Sequence, residues 1–80
     1  MANLSLVNKK ISEILRNENN EVVYTVWLSC TEDAEFEDNN IIIKVPNHYL
    51  RETFENKYKF EVETLYRKEL NFSKLIVAAF

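Results

Sequence analysis

Glycine is missing from this chain altogether. A loop that cradles phosphate needs glycine so that backbone N–H groups can approach the anion, and the glycine-rich nucleotide motifs are therefore excluded. Cysteine occurs once, as Cys30, so no internal disulfide can form. A reducing compartment suits a lone thiol, and Cys30 reads as a small, partly buried side chain. Histidine also occurs once, as His48. Together His48 and Cys30 are too few for a structural zinc site, and no metal is expected. They show no local nucleophile–base pattern either, and nothing in the carboxylate spacing singles out an acid–base pair. No enzymatic role is expected. No apolar run approaches the roughly 20 residues that span a bilayer. The N-terminus lacks the apolar region of a secretory signal. No membrane partner is expected, and the cytoplasm is the expected compartment.

A basic excess is lacking too. The formal net charge is −3, which argues against a dedicated duplex-DNA or RNA binder. The charge is unevenly spread. Glu32, Asp33, Glu35, Glu37 and Asp38 make the middle acidic. Lys9, Lys10, Arg16, Lys57, Lys59, Arg67 and Lys68 lie on presumed helices. A weak local contact with single-stranded nucleic acid stays open.

What is present is one small domain, residues 1–80, with an ordinary hydrophobic fraction of 46%. A chain this short buries about 60% of its unfolded surface, so each core side chain matters. "LSLVNKKISEILRN" places Leu6, Val7, Ile11, Ile14 and Leu15 at spacings of an amphipathic helix. It ends at "NENN", where asparagines favour turns. Asn20 can cap a second helix, "EVVYTVWLS", with Glu21 set against its dipole. Read alone, "VVYTVWL" suits a strand equally well; the cap favours the helix.

"AEFEDNNIIIKV" reads as a β-hairpin turning at Asp38, Asn39 and Asn40, with the β-prone Ile41, Ile42 and Ile43 behind it. Pro46 has no N–H for a ladder and ends the strand. Asn47 caps a long helix in which Leu50, Phe54, Tyr58, Val62 and Leu65 form one apolar stripe. Tyr49 lies about 100° off that stripe and is expected at the rim or at a docking surface. Leu75 to Ala79 reads as a third strand. The expected fold is α+β, in the order α-α-β-β-α-β, with helices on a small three-stranded sheet.

In that order the residues resemble a known family. Tyr24-Thr25-Val26-Trp27-Leu28 sets an aromatic three residues before Trp-Leu. An acidic hairpin with a "DNN" turn follows, then an aliphatic strand ending in Val45-Pro46-Asn47, then Tyr49 and a helix carrying "ENKY". This pattern, over about residues 4 to 79, resembles the N-terminal domain, domain I, of the bacterial replication initiator DnaA. The resemblance implies a K-homology-like fold. It implies a docking and self-association module at the head of a longer protein whose ATPase and DNA-binding domains lie elsewhere. ATP would serve the full-length protein and not this domain. The absence of a linker before Phe80 fits an excised domain better than a stand-alone relative.

The resemblance also implies site residues. Tyr49 matches the position that contacts the replicative helicase and regulatory proteins, with Leu50 and Thr53 flanking it. Val26 and Trp27 match residues lining the same regulator-docking surface. Val23 stands at a position that is acidic in some members. The N-terminal helix, through Leu6, Val7 and Lys10, matches the self-association element, although the family's tryptophan is replaced by Val7. Two other readings compete. One is a weak single-strand binder, but the Gly-x-x-Gly loop of nucleic-acid-binding K-homology domains cannot exist here. The other is a stand-alone mimic of domain I that titrates its partners.

Overall fold

The computed structural model describes residues 3–79. Helix α1 spans Leu4–Glu18, capped by Asn3, whose Oδ1 accepts from the Ser5 N–H at 2.8 Å. Helical segment α2, residues 21–33, begins as an α turn at Glu21–Val23, widens to a π turn at Tyr24–Leu28 and tightens to a 3₁₀ turn at Ser29–Asp33. Strands β1, Glu35–Glu37, and β2, Asn40–Val45, form the hairpin. Helical segment α3, residues 48–67, carries a π turn at Phe54–Tyr58 between α-helical His48–Thr53 and Lys59–Arg67. Strand β3, Leu75–Ala79, closes the fold.

The order is α-α-β-β-α-β, as expected from the sequence, and the sheet runs β1-β2-β3. β1 pairs antiparallel with β2, and β3 pairs parallel with β2 in the register Ile41↔Leu75, Ile43↔Val77. A parallel pair needs a crossover, and α3 supplies it. Alternation turns Ile41, Ile43 and Val45 of β2, with Leu75 and Val77 of β3, onto the helix-covered face. α1 adds Val7, Ile11 and Leu15; α2 adds Tyr24 and Leu28; α3 adds Phe54, Val62 and Tyr66.

Both asparagine caps form as expected. The Asn20 side chain accepts from the Val23 N–H at 2.8 Å, and that of Asn47 from the Leu50 N–H at 2.9 Å. Several expectations need correction. Asn40 is not a turn residue: it opens β2, and Asp38 and Asn39 alone make the turn, with φ of 52° and 64°. Two successive residues at positive φ give the twist that a two-residue hairpin requires. The second helix does not stop at Ser29 but runs on to Asp33, held by the Thr31 hydroxyl bonded to the Leu28 carbonyl at 2.8 Å. Leu65 and Leu50 are only partly buried, and Tyr66 takes the fully buried place near the end of α3. The wider π turn delays the helical phase, so the buried face continues at Tyr66. Leu6 points outward. Val7, by contrast, is only 5% exposed and belongs to the core.

Candidate functional site

The C-terminal end of β2 sets the site. Val45 ends the strand, Pro46 breaks the ladder, and Asn47 starts α3 at once. Tyr49 is therefore held on the first turn of a capped helix, 70% exposed. Opposite it, the π turn of α2 carries Trp27 between the buried Tyr24 and Leu28. The Trp27 and Tyr49 rings lie 6.1 Å apart, tilted by 57°. Trp27 also meets Tyr58 at 6.4 Å in a stacked arrangement, and Tyr58 meets Phe54 at 6.3 Å. These separations fall in the range where aromatic pairs add to simple burial. A ladder of rings thus runs from the buried Phe54 through Tyr58 and Trp27 to the exposed Tyr49. Both π turns found among the described residues lie in it.

Beside the rings is a groove of about 260 Å³, lined by Val26, Trp27, Cys30, Val45, Pro46 and Leu50 among others. Val26 is exposed at its edge. Burial pushes the Cys30 thiol up to about 11, and its Sγ lies 3.6 Å from the Trp27 carbonyl oxygen. A thiol held that firmly protonated is a poor nucleophile and packs as a small apolar group. At the groove rim Lys44 is already paired with Glu35 at 2.6 Å. The arrangement offers rigid aromatic and aliphatic surface with a polar rim, which is the chemistry of a docking patch. Among the described residues no group of three or more His, Cys, Asp or Glu side chains could hold a metal ion, and no helix is long and apolar enough to cross a membrane.

Of the residues expected at the partner face, Tyr49, Leu50, Val26 and Trp27 share this ring-and-groove patch. Thr53 is half-buried one turn further along α3. Val23 is partly buried and packs against the core, and it is not among the residues lining the groove. On α1 Leu6 and Lys10 reach the surface, and Lys10 is engaged with Glu69 at 3.0 Å.

Two exposed side chains escaped the sequence reading. Val22 precedes Val26 by one turn and is 71% exposed; the i, i+4 spacing was the available signal. Phe60 is 85% exposed. It stands two residues before the core residue Val62, about 200° round the helix, so its outward direction follows from the helical period. Tyr58, expected within the core stripe, is half-buried and joins the ring ladder instead.

Comparison with protein families matches the chain to the DnaA N-terminal domain family over residues 7–68. That stretch holds Trp27, Tyr49, Tyr58 and Phe54, the whole ring ladder. No curated protein matches the chain. No solved structure matches it either.

Proposed function

The chain belongs to the DnaA N-terminal domain family, and from that premise we propose that its aromatic face docks the replicative helicase and replication regulators. Residues 7–68 are the N-terminal domain of a replication initiator, and interaction with other proteins in initiation is the role that membership carries. The finer assignment is supported by one observation above the others: Tyr49 stands exposed on a capped helix with its ring against Trp27. An aromatic pre-set by its neighbours offers a large contact area at small entropic cost. Leu50 and Trp27 line the apolar groove with Val26 exposed at its edge, and Thr53 and Val23 are assigned to the same face as flanking residues. The mechanism is recruitment. Several weak contacts of a tethered domain raise the local concentration of the helicase at the origin.

Self-association is assigned to the outer side of α1, through Leu6 and Lys10. Val7 cannot contribute from within the core. No cofactor is assigned to this domain; ATP would act elsewhere in a full-length initiator.

The test is a nuclear magnetic resonance titration of the labelled domain with the N-terminal region of the cognate helicase. Shifts clustered on Val23 to Trp27 and Tyr49 to Thr53, weakened in Tyr49→Ala, support the assignment. Silence there, with single-stranded DNA perturbing Lys57 and Lys59 instead, overturns it in favour of a nucleic-acid role.

A further inference from the structure

The two edges of the sheet are built differently. β1 is three residues long and reads Glu-Phe-Glu. Short length and charge are the usual means by which a protein prevents unwanted strand pairing. β3 is five residues long and reads Leu-Ile-Val-Ala-Ala, without a charge, a proline or a bulge. Among the described residues its only strand neighbour is β2. Ile41 donates its N–H to the Lys74 carbonyl at 2.9 Å, so residues 74, 76 and 78 turn their backbone groups towards β2. By alternation, the N–H and C=O groups of Leu75, Val77 and Ala79 face the free edge. Among the described residues no hydrogen bond reaches them.

That edge is one wall of a groove of about 450 Å³. The other wall is α3, which presents Arg51, Glu55, Lys59 and Glu63 at successive helical turns, and Lys74 also lines the groove. Three cations therefore face two carboxylates. One of these, Glu63, is already neutralised by Arg67 at 2.7 Å. The groove is thus locally positive on a chain of net charge −3. Arg51 is the most enclosed of these cations at its Nε. Its Nε is shut off from solvent and has no hydrogen-bond partner among the described residues. An unpaired buried guanidinium N–H costs stability.

We propose that this groove takes an extended acidic segment of a partner protein, which adds to the sheet as a fourth strand beside β3. Its backbone pairs with Leu75, Val77 and Ala79, and its carboxylates meet Arg51, Lys59 and Lys74. Strand addition supplies affinity through the main chain, and the charged wall supplies selectivity. Single-stranded nucleic acid matches the charge but has no backbone donors and acceptors at strand spacing. A second copy of this chain would bring its own Arg51 and Lys59 to the same wall.

The test uses the labelled domain and a short synthetic peptide of alternating Glu and Val. Alternating Lys–Val peptide and oligothymidylate are the controls. The Glu–Val peptide is expected to shift the Leu75, Val77 and Ala79 amides and slow their hydrogen exchange. The Lys–Val peptide should bind at least about tenfold more weakly, the scale of one charge-assisted hydrogen bond. Arg51→Glu with Lys59→Glu should reverse that preference, and Lys59→Glu alone should narrow it should the double variant fold poorly. Tyr49→Ala should leave the peptide response intact, which separates this site from the aromatic one. The proposal is overturned if the β3 amides ignore both peptides, respond to both equally, or respond only to oligothymidylate or to rising protein concentration.

Discussion

The Tyr66 hydroxyl lies 2.6 Å from Oδ1 of Asn8, joining two residues 58 positions apart inside the core. It donates to Asn8, with the Thr31 carbonyl at 3.2 Å as a second acceptor, and Asn8 passes its own N–H to the Ala34 carbonyl at 2.9 Å. This polar thread ties α3 to α1 and to the end of α2. Burial holds the Tyr66 hydroxyl well above the usual phenol range, so it remains a donor at any physiological pH.

Tyr66→Phe removes the donor and leaves two buried oxygens underpaired. The expected cost is about 1–3 kcal/mol, the desolvation penalty of unsatisfied polar groups. Denaturant unfolding checks it. A loss below about 0.5 kcal/mol would mean that the network contributes little beyond filling space.

The hairpin turn gives a second test with an inverted order of residues. Asn39 has φ of 64°, where an alanine Cβ is strained and glycine is not. Asn39→Ala should therefore destabilise by about 1 kcal/mol. Asn39→Gly should be milder, although it too loses the 3.2 Å bond from the Asn39 amide to the Ser73 hydroxyl. Paired thermal melts decide it; alanine as stable as glycine would contradict the turn geometry.

What the sequence allowed one to read was local chemistry. Asn20 and Asn47 announce caps because a cap needs only a side-chain oxygen and a nearby N–H. Asp38 and Asn39 announce a turn for the same reason. The π turns at Tyr24–Leu28 and Phe54–Tyr58 were not readable, because tertiary packing chooses them over the regular helix. They shift the helical phase, so Tyr66 was hidden behind Leu65. Asn8 was hidden too, since its partners Ala34 and Tyr66 are distant in sequence. At the site, Tyr49 stood out because it left the apolar stripe. Its meeting with Trp27 across 22 positions needed the fold.

Alkaline stability should depend on Cys30. Its thiol is raised by burial to about 11 from an ordinary value of 9.0. Between those values the unfolded chain has lost a proton that the folded chain keeps. The unfolded state therefore binds fewer protons, and stability falls as pH rises through that window. Denaturation midpoints across the window, in the native chain and in Cys30→Ala, measure the effect. The variant should lose stability less steeply; parallel curves would mean that the thiol ionises as freely when folded.

The ring ladder should report on itself, because Trp27 is the single tryptophan. Tyr49→Ala removes an exposed side chain and should leave stability within about 0.5 kcal/mol. Phe54→Ala, at the buried end of the same ladder, should cost about 3–5 kcal/mol. Both should move the Trp27 emission to the red, the first by admitting water at the exposed edge, the second by loosening Tyr58 beneath it. Partner docking on Tyr49 should move the emission to the blue in the native chain and fail to do so in Tyr49→Ala. If Tyr49→Ala instead costs as much stability as Phe54→Ala, Tyr49 is a structural residue. Its exposure then reflects packing at the β2–α3 corner, and the docking patch must be sought elsewhere.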